Sequence, residues 1–324
     1  MRARTVKLGG ESLPVFTTTS VSEFTGWLME QGTVAVDTET TGLDIYTATA
    51  SLRLLQVGTA TEAVVLPIEN MGGHARAQVG EMLAAHAERF PLVFHNATFD
   101  RLFLDAHGVL PLEALTDSQW EDTRILAHLV DPRAKQEGGY GHSLKDLSDL
   151  FVDPDASAEG QQVLKNVFKE NGWNKNDGWA KIDLDHPDYV RYGGLDVILT
   201  SRLFPVMARL VLDMDSQRLY QFEKQVANLC AKMERRGMLV DTEYVKNDLI
   251  PHLEAEESSG VADALGWGVE NVNSTAQVAE ALIGLGWEPT EFTPSGKPRV
   301  DKAALTVLAD EGNPIATAVM KAKQ

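Results

Sequence analysis

The chain has 324 residues, 44% of them apolar, a formal net charge of −18 and one cysteine. That length suits two domains with a sizeable core, while the lone Cys230 excludes an internal disulfide and a cysteine-built zinc site. The charge excludes a strong unaided grip on many phosphates, but not a nuclease whose bound cations meet the phosphate.

Residues 33–36 (TVAV) form a short β-branched run after Gly32, and the spacing predicts a strand that ends in DTETTGLD. Side chains alternate along a strand, so Asp37 and Glu39 share one face. Two acids so close repel unless a cation lies between them, and hard divalent cations favour such oxygens. A pair of acids alone is commonly a solvated strand end, so the rest of the chain must decide.

Residues 51–59 and 63–68 read as two further strands, giving an antiparallel meander with the first. A helix is predicted over 75–89, a strand over 92–96 and a helix from about Thr98 to His107. Further helices are predicted over 121–130, 143–151, 158–171 and 188–212, with Ser143 as an N-cap. Strands followed by covering helices make a mixed α/β domain over residues 1–212. A composition shift near residue 213 opens a smaller, mainly helical region, 213–324. It holds a helix over 222–241 ended by Gly237, a helix over 273–287 capped by Ser274 or Thr275, a Gly/Pro turn at 293–300 and a last helix from about Asp301. No stretch of about 18 apolar residues occurs, so no membrane span is expected, and the basic start lacks the apolar segment of a signal peptide.

Two later segments supply partners for the first acid pair. In FHNATFDRLF, Asn96 and Asp100 lie four apart where a strand passes into a helix, which would put both on one face. In VRYGGLDVILT, Tyr192 and Asp196 also lie four apart on a helix, and Asp196 sits among apolar neighbours where a solvated acid is uncomfortable. Asp37, Glu39, Asp100 and Asp196 are therefore the candidate metal ligands, with Tyr192 at the edge. Asp122 competes for the third place, although an acid at a helix start is commonly a cap. His95, His128 and His142 are scattered and carry no zinc-site spacing.

The three segments VDTETTGLD, HNATFDRLFL and YGGLDVILT resemble, in order, the three motifs of the DEDD 3′–5′ exonucleases. The Tyr-x₃-Asp form, with Arg191 where the sister subclass carries histidine, resembles the tyrosine subclass. EDTRILAHLVDP and HSLKDL resemble the linking segments of the exonuclease domain in DNA polymerase I-like, family A enzymes, and the likeness covers roughly residues 30–212. The segments EKQVANLCAKMERRGMLVD, NSTAQVAEAL and TPSGKPRVDKAAL resemble the thumb base that opens a polymerase domain, most of all in bacteriophage enzymes. No counterpart of the palm and fingers motifs is found, which implies a truncated piece or one product of a split gene. No polymerisation is expected from this chain alone.

The resemblance implies an RNase H-like sheet flanked by helices and two-metal hydrolysis with Mg²⁺ or Mn²⁺. Asp37, Glu39 and Asp196 would hold one ion, Asp37 would bridge to the second with Asp100 in support, and Tyr192 would orient the attacking water. Thr40, Thr41 and Leu43 would meet the terminal nucleotide and Asn96 the backbone, with Phe99 either contacting substrate or serving as scaffold. The implied partners are a single-stranded DNA 3′ end and a polymerase half in cis or in trans, in the cytoplasm of a host cell if the chain is phage-encoded. Two other readings stand beside this one: an RNase D-like exoribonuclease, and a catalytically silent domain that binds DNA or a polymerase.

Overall fold

A computed structural model describes residues 1–156 and 161–323 of the chain. It divides into two compact units, Met1–Gly237 and Met238–Gln324.

The first unit is built on a seven-stranded mixed sheet among the described residues. Strands β3 (Val34–Thr40), β4 (Leu52–Gly58) and β5 (Ala63–Leu66) form the antiparallel meander read from the sequence. Strand β6 (Leu92–Phe94) runs parallel to β3, and β7 (Trp120–Asp122) runs parallel to β6. The opposite side carries a hairpin that the sequence reading missed, β1 (Arg2–Leu8) and β2 (Glu11–Thr17), with β2 parallel to β5. Its turn is Gly9-Gly10, both at positive φ, a conformation that costs glycine little.

Alternation along β3 sorts the two faces. Val34 and Val36 enter a core with Phe24, Leu28, Leu83 and Phe103, contributed by α1 (Val21–Met29), α2 (Gly73–Ala87) and α3 (Ala97–Ala106). Ala35 enters the other core, with Val15, Leu54, Val65, Tyr189 and Ile198. The long helix α8 (Pro187–Asp213) covers that second face. It approaches closely because Gly193 and Gly194 lie against the sheet: a Cβ on Gly193 would meet Gln56 Nε2 at 2.5 Å, and one on Gly194 would meet Val15 at 2.5 Å. Around it stand α4 (Thr123–Val130), α5 (Leu144–Phe151), α6 (Gln161–Glu170) and α7 (Lys175–Lys181). The helix read over 158–171 is present from Gln161 to Glu170, while residues 157–160 lie outside the described part.

Helix α9 (Gln217–Arg236) packs beside α3 and α4 and closes the β7 edge. The Asp122 amide donates to Tyr220 Oη at 2.8 Å, Tyr220 donates to Glu121 Oε2 at 2.7 Å, and the fully buried Lys224 ammonium donates to the same oxygen at 3.0 Å. These contacts place α9 with the sheet, within the unit that ends at Gly237. Gly237 ends the helix at φ 63°.

The second unit holds a short turn α10 (Thr242–Tyr244), α11 (Ile250–Gly266), α12 (Thr275–Gly284), α13 (Lys302–Asp310) and α14 (Pro314–Lys321). Its own core gathers Ala264, Val278, Leu282, Leu305, Ile315 and Val319. Ser274 caps α12 through Gln277 N, one of the two caps expected there. No helix among the described residues is long and apolar enough to cross a membrane.

Candidate active site

The two acids of β3 fall on the Ala35 face and so point toward α8, which brings Asp196 to them. Asp37, Glu39 and Asp196 each present an oxygen, and these oxygens lie within 4.8 Å of one another. The pairing register slips between Glu39 and Thr40, a bulge of the kind that re-aims side chains at the end of a strand.

Asp100 comes from the other face. It lies in the first turn of α3, 2% exposed, and accepts a 2.6 Å hydrogen bond from Thr38 Oγ1. Asp100 therefore stands beside the three-acid set as a neighbour and not as a fourth member of it. Its charge still reaches Asp37, whose carboxyl is pushed well above its ordinary range by burial first and by Asp100, Glu39 and Asp196 next. Glu39 is raised for the same reasons, burial and then Asp196. Burial lifts Asp100 to about 7 and raises Asp196 as well, with Lys145 and the Tyr192 hydroxyl pulling Asp196 back down. Four neighbouring acids whose carboxyls are all raised, by burial first, fit a hard divalent cation, which would favour their ionised forms.

Tyr192, 7% exposed, lies one turn before Asp196 on α8, and its ring centroid is 5.6 Å from that of Trp179. Lys145 Nζ donates to Tyr192 Oη at 2.8 Å and lies 3.9 Å from Asp196 Oδ2. The sequence reading did not single out this lysine. Nothing in HSLKDL separates an inward lysine from a surface one until α5 is placed.

The expected substrate positions have mixed surroundings. Thr40 Oγ1 donates to Gly42 O at 2.7 Å, and Thr41 Oγ1 donates to Thr49 O while accepting from Ser51 N. Both hydroxyls thus shape the loop after β3. Leu43 is 82% exposed and helps line a cavity of about 250 Å³ with Thr41, Thr49, Asp177 and Ala180. Asn96 is not on the helix face expected for it. It stands at the N-terminal boundary of α3 in a left-handed conformation, φ 77°, and its Oδ1 accepts from Arg124 Nη1 at 2.9 Å. Phe99 packs against the α1–α3 core and lies 4.9 Å from the Phe103 ring.

Asp122 is a cap, as its position at a helix start suggested. Its carboxylate accepts from the amides of Asn96, Ala97, Arg124 and Ile125, which leaves little for a metal. His95, which the sequence left among scattered histidines, ties β6 to the loop before α5: its Nδ1 meets Thr123 Oγ1 at 2.8 Å and its Nε2 meets the His142 carbonyl at 3.1 Å.

Comparison with known proteins gives consistent results. A family model described as 3′–5′ exonuclease matches residues 14–212. The DNA polymerases of Mycobacterium phages D29 and L5 are 39% and 37% identical over 301 and 294 residues. Those alignments cover 91% and 90% of this chain but 48% of each relative, so the chain spans about half the length of the curated relatives it matches. The POL domain of Pol1 from M. smegmatis, in complex with DNA primer-template and dNTP, is similar at TM-score 0.63 and 18% identity, over 95% of this chain and 47% of that one. A mutant catalytic core of RRP6 from Trypanosoma brucei is similar at TM-score 0.51 and 15% identity, over 99% of this chain and 84% of that one. At such identities these two likenesses speak for the RNase H-like fold alone.

Proposed function

Because the chain belongs to the 3′–5′ exonuclease family of A-type DNA polymerases, and is on that account a metal-dependent nuclease, we propose that it removes nucleoside 5′-monophosphates from single-stranded or frayed DNA 3′ ends. The observation that carries the reading is the convergence of Asp37, Glu39 and Asp196 from two distant segments, with Asp100 alongside.

In this reading Asp37, Glu39 and Asp196 would hold one divalent cation, and Asp37, supported by Asp100, would help to hold a second. Two such ions, Mg²⁺ or Mn²⁺, would lower the pKa of water and neutralise charge on the attacking and leaving oxygens of an in-line displacement. Tyr192 donates its hydroxyl hydrogen to the attacking water and fixes its direction. A buried phenol raised well above its ordinary pKa is no base near neutral pH, which leaves orientation as its role. Leu43, exposed in the loop after β3 where it helps line a cavity, would pack against the terminal nucleotide. Thr40 and Thr41 hold the loop that presents it. Asn96 would meet the substrate backbone through its Nδ2 hydrogens, since its Oδ1 already accepts from Arg124.

The relatives are DNA polymerases about twice as long as the matched stretch, which supports a proofreading role beside a polymerase half, in cis or in trans. The test is the shortening of 5′-labelled single strands of DNA and of RNA, and the release of labelled mononucleotide from 3′-labelled ones, with Mg²⁺ or Mn²⁺ and with EDTA. Stepwise shortening of DNA that EDTA abolishes is the expected result. Cleavage of RNA alone would favour the exoribonuclease reading, and no cleavage with either metal would favour a silent binding domain.

A further inference from the structure

We infer that Lys145 is a positioning residue of the cleavage site, one that fixes the direction in which the Tyr192 hydroxyl presents its hydrogen. The inference rests on the exonuclease reading above and adds a residue that lies in none of the three acidic segments.

The geometry is specific. Lys145 Nζ lies 2.8 Å from Tyr192 Oη, 4.5 Å from the centroid of its ring and 3.9 Å from Asp196 Oδ2. An ammonium has donors and no acceptor, whereas a phenol oxygen both donates and accepts. The bond between them must therefore run from lysine to tyrosine. It occupies a lone pair of Oη, so the phenol hydrogen cannot point back toward α5. It is left to turn toward the space beside Asp196, one helical turn further along α8. A water placed beside Asp196 meets that hydrogen. Without Lys145 the hydroxyl is free to rotate, and part of its orienting effect is lost.

The lysine is itself held. It is the second residue of α5, whose cap Ser143 accepts from Asp146 N at 3.1 Å. The preceding residue, His142, is fixed on two sides. Its ring Nε2 donates to Asp131 O at 2.8 Å, and its carbonyl accepts from His95 Nε2 at 3.1 Å. Burial holds His95 down at about 4, so its ring is neutral and carries one hydrogen. That hydrogen sits on Nε2, since a carbonyl only accepts. The Lys145 side chain remains 18% exposed, so a change there does not open the core.

A double-mutant cycle tests the inference with two readouts. The proteins are the parent, Lys145→Met, Tyr192→Phe and the pair, with Lys145→Arg as the conservative control. The readouts are single-strand DNA cleavage with Mn²⁺ and calorimetric titration with Mn²⁺ alone. Lys145→Met should lower kcat about 10- to 100-fold with KM within about twofold, and this loss should shrink to about twofold or less in the Tyr192→Phe background. Lys145→Arg, still a donor without an acceptor, should recover part of the rate. Mn²⁺ should bind Lys145→Met about 3- to 10-fold more tightly, because a positive charge beside Asp196 has gone.

Equal rate losses in both backgrounds would overturn the inference, since Lys145 would then act independently of Tyr192. Unchanged or weaker Mn²⁺ binding would overturn it as well. The titration needs no turnover: a parent that binds Mn²⁺ but cleaves nothing defeats the exonuclease reading, while the shift in affinity still judges the placement of Lys145. Thermal melts accompany each variant, and a Lys145→Met protein that does not fold passes the decision to Lys145→Arg, whose failure to exceed Tyr192→Phe in rate would also be contrary.

Discussion

Asp37 on β3 stands directly opposite Gln56 on β4, and Gly193 of α8 lies over that glutamine. Gln56 is fully buried, and neither end of its amide has a hydrogen-bond partner among the described residues. A Cβ at position 193 would come within 2.5 Å of its Nε2 and 2.8 Å of its Cγ. The helix that carries Asp196 is thus set at its height above Asp37 by the absence of one methyl group.

Gly193→Ala should therefore harm both the fold and the site. Overpacking of this kind costs about 1–3 kcal/mol. A displacement of α8 by a fraction of an ångström should also lower cleavage at least tenfold, since small misplacements at a reacting centre are costly. Urea unfolding and cleavage rates measure the two effects. Unchanged values in both would show that the glutamine moves aside freely.

Asp37→Ala should reduce cleavage by roughly 10³-fold or more, because the proposed metal site would lose one of its three converging acids. The metal-free protein should melt no lower than the parent. Burial and the charges of Asp100, Glu39 and Asp196 all oppose ionisation of Asp37, so its removal relieves repulsion. Parent-like cleavage would refute the site; a much lower melting temperature in EDTA would refute the repulsion.

Asp100 gives a pH dependence with a definite sign. Its folded pKa is raised from 3.8 to about 7, so the folded state binds the proton more tightly than the unfolded chain. The associated stability is complete below about pH 4 and is lost as pH rises to about 7, a loss on the order of 2–4 kcal/mol. Calorimetry in EDTA at pH 5 and pH 7.5 should show the parent losing more stability than Asp100→Asn over that interval. Mn²⁺ should restore more at pH 7.5 than at pH 5, because protons and cations compete for the same oxygens. Parallel profiles for the two proteins would contradict this account.

Leu43→Ser should raise KM for DNA about threefold to tenfold at nearly constant kcat, as expected when contact with the terminal nucleotide is equally strong in ground and transition states. The side chain is 82% exposed, so the melting temperature should hold. An unaltered KM would remove Leu43 from the substrate path.

The acids were legible in the sequence because their spacing is fixed by backbone geometry. Two residues apart on a strand, Asp37 and Glu39 could only share a face, and the apolar neighbours of Asp196 marked it as an inward acid. The meander was legible from its β-branched runs. The β1–β2 hairpin was not, since Arg2, Arg4, Lys7 and Pro14 hide its alternation. Strand β7 has three residues and merges into the start of α4, so it read as helix. The left-handed turn at Asn96 is a tertiary effect: Asp122, 26 residues on, accepts the Asn96 amide. Lys145 and His95 were invisible for a similar reason, since their partners come from elements remote in the chain.

The seal that α9 places on β7 has a practical consequence. Tyr220 occupies an outward amide of that strand, and Lys224 lies over the ring of Trp120. A fragment cut at 212 would leave this border bare and inviting to a strand from another copy. A fragment cut at 237 would keep its cover. The nuclease unit carries its own guard against sticking to itself, supplied by α9, the helix that follows the one bearing Asp196.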